Sequence, residues 1–234
     1  MREKNIDPDT IQAQGSSPIR GVIFDLDGTL LDTVHGIAAA ANEALQAHGL
    51  PMHEVAAFHG FVGHGSFELM RRAAKIELKR PDESLVQELE EGFQAAYERH
   101  WRSSKLYPGV DSLLDAVSER GWPMAVLSNK PHVFTVKCVQ SLLSPWRFFP
   151  LFGRRQQVPR KPAPQVALGI ASQWQIPPSE IAFVGDTDVD MQTAQRAGMP
   201  AFGVLWGFQA KDRLDAFSAP LSENPRELRR HLGL

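Results

Sequence analysis

Cysteine occurs once in this chain, at Cys138, which excludes an intramolecular disulfide framework and any zinc site built from several thiolates. A lone thiol fits a reducing compartment, so the cytoplasm is the expected location. No segment reaches the roughly 18 consecutive apolar residues that a membrane-spanning helix needs. The first nineteen residues, MREKNIDPDTIQAQGSSPI, also lack the apolar run of a signal peptide, and 1–19 reads as a flexible extension. Charge of one sign is missing as well. With 25 Lys and Arg against 27 Asp and Glu, the formal charge is -2, which provides no overall footprint for nucleic acid or an anionic membrane surface, and neither is expected as a partner.

What is present is an ordinary globular composition, 43% hydrophobic and 22% charged over 234 residues, long enough for a core carrying a smaller inserted domain. The run Gly21-Val22-Ile23-Phe24-Asp25 reads as a buried strand that delivers carboxylates to its end. Helical patterns follow over Thr33–Gly49, Ser66–Lys79 and Ser84–Trp101, and no convincing strand interrupts them. After Pro108-Gly109 the pattern alternates. Helices are expected at Val110–Arg120, His132–Leu143, Pro164–Trp174, Met191–Ala197 and Asn224–Leu232, and strands at Met124–Leu127, Ile181–Val184 and Ala201–Leu205. Such alternation implies a parallel sheet, which the first strand must join. The expected fold is therefore α/β: a Rossmann-like core over 20–33 and 106–234, interrupted by an all-helical insert over 34–105.

Open parallel sheets bind ligands beyond the carboxyl ends of their strands. Three apolar strands end there in polar clusters: Asp25-Leu26-Asp27-Gly28-Thr29, Ser128-Asn129-Lys130, and Gly185-Asp186-Thr187-Asp188-Val189-Asp190, with Lys161 on a proline-flanked loop. Each residue type has a place in phosphoryl transfer, where a protein mainly positions groups and neutralises charge on oxygen. A carboxylate such as Asp25 can attack phosphorus and form an aspartyl-phosphate. Its approach to an anionic phosphate needs a cation between them, and Mg²⁺ suits a few hard oxygen ligands, here Asp25, Asp186 and Asp27, the last through its backbone carbonyl. Asp27, two residues on, can protonate the leaving oxygen and then activate water. Ser128, with Asn129 beside it, and Lys161 would hold the remaining phosphate oxygens, and Gly28 would relieve crowding at the ligand.

In order along the chain, Phe24-Asp25-Leu26-Asp27-Gly28-Thr29-Leu30-Leu31-Asp32-Thr33, Leu127-Ser128-Asn129-Lys130, Lys161-Pro162 and Val184-Gly185-Asp186-Thr187-Asp188-Val189-Asp190 resemble the four motifs of the haloacid dehalogenase-like superfamily. The resemblance spans about residues 20 to 206. A helical insert after the first motif, Lys-Pro in the third and Gly-Asp-Thr-x-x-Asp in the fourth are similar to the phosphoglycolate phosphatase branch. That resemblance implies a cap closing over a small phosphorylated metabolite, with 2-phosphoglycolate the first substrate to expect, Asp25 as nucleophile, Asp27 as acid/base and Asp186 as metal ligand. It implies for Asp190 a place behind the metal or beside Lys161, and for Gly63-His64-Gly65 a substrate-facing cap loop. A phosphosugar mutase, or a phosphatase for another sugar or nucleotide phosphate, uses the same scaffold. Dehalogenation needs neither Asp27 nor Asp186.

Other residues read more plainly. Asp32 and Asp188 are expected as helix or loop acids. Lys130 is expected in a solvated first turn, and Arg71, Arg72, Lys75, Lys79 and Arg80 along a solvated helix face. His53, His59 and His64 fit no usual zinc spacing and read as cap surface. Cys138 occupies an apolar helical position and is expected inside.

Overall fold

The structure, a computed structural model, describes residues 18–74 and 82–234. It opens on strand β1 (Gly21–Phe24), passes through the two-residue strand β2 (Leu31–Asp32), and enters helices α1 (Val34–Ala47), α2 (Ser66–Ala73) and α3 (Glu83–His100). Strand β3 (Lys105–Leu106) returns the chain to the sheet side, followed by α4 (Val110–Glu119), β4 (Met124–Pro131), α5 (His132–Leu142) and β5 (Phe148–Arg154). Then come α6 (Gln165–Trp174), β6 (Ile181–Gly185), α7 (Asp188–Ala197), β7 (Ala201–Val204), α8 (Lys211–Asp215), β8 (Leu221–Ser222) and α9 (Pro225–Leu232). No helix among the described residues is long and apolar enough to cross a membrane.

Six strands form one parallel sheet in the order β5-β4-β1-β6-β7-β8, so the fold is α/β with flanking helices. The first strand lies between β4 and β6, as its apolar sequence requires. Val22, Ile23 and Phe24 are fully buried because both sheet faces are covered. Alternate residues serve the two faces: Val22, Phe24, Val126 and Val184 join the larger core, whereas Ile23, Ala125 and Phe183 pack with α6 and α7. The larger core continues into the helical segment through Ile37, Ala41, Leu45, Leu69, Leu89 and Phe93.

Helices α1 and α3 meet through small residues. A Cβ at Gly36 would sit 2.8 Å from the His100 carbonyl oxygen, so glycine lets the two backbones approach. Where the chain leaves and re-enters the sheet region, β2 and β3 pair antiparallel, Leu31 opposite Leu106 and Asp32 opposite Lys105. One short ribbon thus ties both connections together.

Several boundaries differ from expectation for identifiable reasons. The fourth strand runs on to Pro131 and carries Ser128, Asn129 and Lys130 inside the sheet edge. Helix α7 begins at Asp188, because Thr187 and Asp190 form a capping box that nucleates it three residues before Met191. Strand β5 is unanticipated; its Pro150 is tolerated because β5 is an edge. Strands β2, β3 and β8 have two residues each, too short for periodicity to show. The extension over 1–17, the end of the expected Ser66–Lys79 helix, and Lys75, Lys79 and Arg80 lie outside the described residues.

Arg71 and Arg72 do not form the solvated face expected of them. Both side chains clasp Glu68, one and the same carboxylate at i,i+3 and i,i+4 on α2, and Arg71 is only 12% exposed. The Arg71 hydrogen bond, opposed by burial and reinforced by Arg72, pulls the Glu68 carboxyl down to about 2 from 4.5. A depressed carboxyl contributes stability above its unfolded value and loses it as pH falls through the folded one. Glu68→Gln should therefore cost on the order of 1 kcal/mol at pH 7, with the gap to wild type closing between pH 4.5 and about 2 in urea titrations.

Candidate active site

The carboxyl end of β1 lies between those of β4 and β6, and the chain runs to opposite sides of it, which opens a crevice there. Asp25 follows β1 directly, and its backbone N–H donates to the Val184 carbonyl at 2.9 Å, locking it to β6. Asp186 follows β6. Its carboxylate accepts from Thr29 Oγ1 at 3.0 Å and from the Phe208 N–H at 2.8 Å, so it is fixed before any ligand arrives. Gly28, at φ +88°, makes room for this, since a Cβ there would lie 2.3 Å from Asp186 Oδ2. The crowding it relieves is by a carboxylate of the protein.

Asp190 sits on the first turn of α7 with Oδ2 on the Thr187 N–H at 3.0 Å, which aims Oδ1 at Lys161 Nζ, 2.6 Å away. Lys161 Nζ also lies 2.8 Å from Asp25 Oδ1. The alignment of that second contact is not that of a hydrogen bond, and Asp25 Oδ1 is a buried oxygen without a hydrogen-bond donor. Among the described residues, Asp25, Asp186 and Asp190 are the acidic group able to share a cation, each offering an oxygen within 4.8 Å of the others. The three histidines do not gather. His53 is half-buried with Nε2 2.6 Å from the Ala73 carbonyl and rings of Phe58 and Phe61 around it, rather than at the surface.

The electrostatics follow from burial. Burial, then the Asp190 and Asp25 charges, push the Asp186 carboxyl well above the carboxylate range. Burial raises Asp190 to about 6, with Lys161 opposing. Burial alone would lower Lys161, but Asp190 and Asp25 outweigh it and hold the ammonium charged. The Lys161 ammonium meets Asp25 and Asp190 but not Asp186, so the cluster is short of positive charge. The orphaned Asp25 oxygen and the all-oxygen donor set fit a hard divalent cation such as Mg²⁺.

Asp27 points elsewhere. Its carboxylate receives Lys130 Nζ at 2.9 and 3.1 Å, so its side chain stands apart from the acidic cluster. Lys130 is thereby corrected from a solvated turn to a buried ion pair, because β4 carries it inward and Tyr97 of α3 accepts from it at 2.8 Å. Sequence reasoning missed Tyr97. No local motif marks it; its ring packs on Phe93 and Phe134 as an ordinary core residue would.

A cavity of about 40 Å³ separates the strand ends from the helices, lined by Asp25, Asp27, Ser128, Asn129 and Lys130 below and by Gly63, Gly65, Ser66 and Tyr97 above. The Asn129 side chain donates to the Gly63 and Lys161 carbonyls, both at 3.1 Å, and so ties the glycine loop to the Lys161 loop. Gly63 and Gly65 have φ of +112° and +92°, a backbone that disfavours side chains. His64 lies between them; burial, then Arg72, lowers its basicity. Asp32 Oδ1 accepts from the Val34 N–H, and Asp188 from Gln209, as local structural acids. Cys138 is fully buried, and burial lifts its thiol to about 11.

A parallel α/β sheet with acids at adjacent strand ends and a buried lysine beside them is an arrangement able to bind a cation and a phosphate, and comparison with known proteins gives the family. The description of the haloacid dehalogenase-like hydrolases matches residues 22–204, and the chain belongs to that family. Phosphoglycolate phosphatases of Pectobacterium atrosepticum and Escherichia coli K12 are each 32% identical to it, over 84% of this chain and 85% of theirs. A crystal structure from Lactobacillus delbrueckii subsp. bulgaricus, provisionally described as a phosphoglycolate phosphatase, superposes with a TM-score of 0.84 at 26% identity, covering 92% of this chain and 99% of that one. A haloacid dehalogenase-like hydrolase from Streptococcus pneumoniae shares the fold, with a TM-score of 0.81 at 22% identity over 91% and 98% of the two chains. The chain is a phosphoric monoester hydrolase of the phosphoglycolate phosphatase-like branch.

Carboxyls raised by burial weaken the fold as pH rises, since they must ionise in place. Asp186→Asn should therefore raise the melting temperature of the metal-free protein by a margin that widens as pH rises above the ordinary carboxylate range. If the cluster takes up Mg²⁺, calorimetry should show a smaller Mg²⁺-dependent gain in melting temperature for the same variant than for wild type.

Proposed function

We propose that the chain hydrolyses a small phosphomonoester, 2-phosphoglycolate first, by attack of Asp25 on phosphorus. The observation that carries the reading is the buried Asp25 oxygen, without a hydrogen-bond donor, beside Lys161 at the floor of the cavity between the strand ends and the helices. The names of the 32% identical relatives support the substrate, and so does the cavity. Its volume of about 40 Å³ corresponds to a few water positions, which suits a two-carbon tail better than a hexose.

Asp25 forms its bond to phosphorus as the ester P–O bond breaks, and the leaving oxygen takes a proton from Asp27, which enters this step protonated; its pairing with Lys130 corresponds to the state after that proton has left. Asp27 then accepts a proton from water as water attacks the aspartyl-phosphate, freeing Asp25 and inorganic phosphate. Lys161 stays charged throughout and faces the phosphate oxygens, with the Ser128 hydroxyl as a further donor. Asp190 orients Lys161 through its contact at 2.6 Å. Asp25 and Asp186 would hold Mg²⁺, with Asp190 behind them and the Asp27 carbonyl as a further oxygen; the ion supplies the charge that lets a carboxylate approach a phosphate. Residues 34–105 act as the cap over the core of 20–33 and 106–234, excluding water, with Gly63-His64-Gly65 facing the substrate and the β2–β3 ribbon at the junction.

With Mg²⁺ present, phosphate release from 2-phosphoglycolate should proceed at a kcat/KM above about 10⁴ M⁻¹s⁻¹. Rapid quenching should trap labelled phosphate on wild type but not on Asp25→Asn, whose turnover should fall by about 10³-fold or more. Full activity in that variant would remove the mechanism. Asp27→Asn should slow the leaving-group and water steps by about 10² to 10⁴ while still binding substrate.

A further inference from the structure

Two buried groups on the cavity wall are left over by this chemistry, the Lys130 ammonium and the Tyr97 phenol. Lys130 is the one cation among the described residues that line the cavity. The basic side chains nearby are engaged otherwise: Arg71 and Arg72 by Glu68, and Arg154 by Glu90 at 2.9 Å. Lys130 reaches in from β4 and Tyr97 from α3, with Nζ donating to the phenol oxygen at 2.8 Å. The phenol hydrogen must then point away from Lys130. No acceptor for it exists among the described residues, although Tyr97 is only 1% exposed, and burial pushes its hydroxyl up to about 12 so that the hydrogen stays.

An ammonium has three donors, and Lys130 reaches both oxygens of Asp27, at 2.9 and 3.1 Å. One of those contacts can be given up without breaking the pair. The helical side of the cavity also presents the apolar side chains of Ile37, Val62, Leu69 and Phe93, with Ser66 as its other polar side chain. A cation and an uncommitted O–H, 2.8 Å apart beside the apolar side chains of the helical wall, make a receptor for a small anion that lies beyond the phosphate.

We propose that Lys130 and Tyr97 form the subsite for a carboxylate on the part of the substrate that is not transferred. The assignment rests on the phosphatase reading above and deepens it from small phosphomonoesters to those bearing a second acid. The carboxylate accepts one N–H of Lys130 and the O–H of Tyr97. A neutral terminal hydroxyl at the same place forms weaker bonds with both, so selection is by charge as well as by size.

The test compares two pairs of compounds of matched length on the Mg²⁺-loaded enzyme. For turnover, 2-phosphoglycolate is set against 2-hydroxyethyl phosphate; for binding by calorimetry, 3-phosphonopropanoate is set against 3-hydroxypropylphosphonate. Wild type should prefer the carboxylate member of each pair by about 10- to 100-fold, the range of hydrogen bonds to a charged group. Tyr97→Phe, which keeps the ring packing, should lower that preference by about 3- to 10-fold, and Lys130→Met should bring it close to one. Wild-type turnover of both phosphates with no preference in either pair would overturn the subsite and leave the phosphatase reading intact. Equal losses on both members in both variants would also overturn it, marking Lys130 and Tyr97 as supports of Asp27 alone. Absence of phosphate release from any phosphomonoester would instead remove the phosphatase reading on which the subsite rests.

Discussion

Asp25, Asp186 and Asp190 bring three carboxyl groups within 4.8 Å of one another, with the Lys161 ammonium against Asp25 and Asp190, in a place almost closed to water. Like charges so placed repel strongly, and burial removes the solvent that would screen them. Much of the surrounding structure holds this arrangement against that repulsion. Thr29 and the Phe208 N–H restrain Asp186, the α7 capping box restrains Asp190, and Gly28 admits the Asp186 carboxylate against the first loop. The site resembles a spring compressed by the fold, and positive charge relaxes it. A divalent cation would offset the excess negative charge of the cluster, and that charge is what would let an anionic phosphate approach it.

A second charge pair governs the other side of the cavity. Lys130 and Asp27 approach at 2.9 Å with Tyr97 closing over them from the helical segment. Buried pairs of this kind contribute little net stability, because desolvation offsets their attraction. Their retention is better explained by what they can exchange partners with. On the proposed mechanism and subsite, the carboxylate of the proton transfer and the cation meeting the rest of the substrate are in direct contact, so tail recognition and chemistry would share one hydrogen-bond network. That Tyr97 comes from α3 makes the network depend on the helices staying over the sheet.

Legibility in the sequence varied with the range of the interaction. Strand β1 was readable because burial on both faces demands a continuous apolar run, and its acids were readable because they follow it directly. The start of α7 was written locally too, in Thr187 and Asp190, but its acids invited a loop reading. Strand β5 was obscured by Pro150 and a mixed burial pattern, as an edge permits. Lys130 was misread because its neighbours in sequence are polar. Only the partners Asp27, 103 positions away, and Tyr97, 33 away, explain why an ammonium can be buried there.

The sequence by itself determined the element types, the parallel sheet and the acids, hydroxyl and lysine that stand at its carboxyl edge, since these depend on periodicity and on motifs of a few residues. Only the tertiary structure decided which carboxylates share a cluster, that Asp27 turns from it toward Lys130, and that Tyr97 belongs to the site. The physical reason is that apolar periodicity acts along a segment, whereas the charge state and direction of a buried polar group depend on whatever distant groups the fold brings within about 3 Å of it.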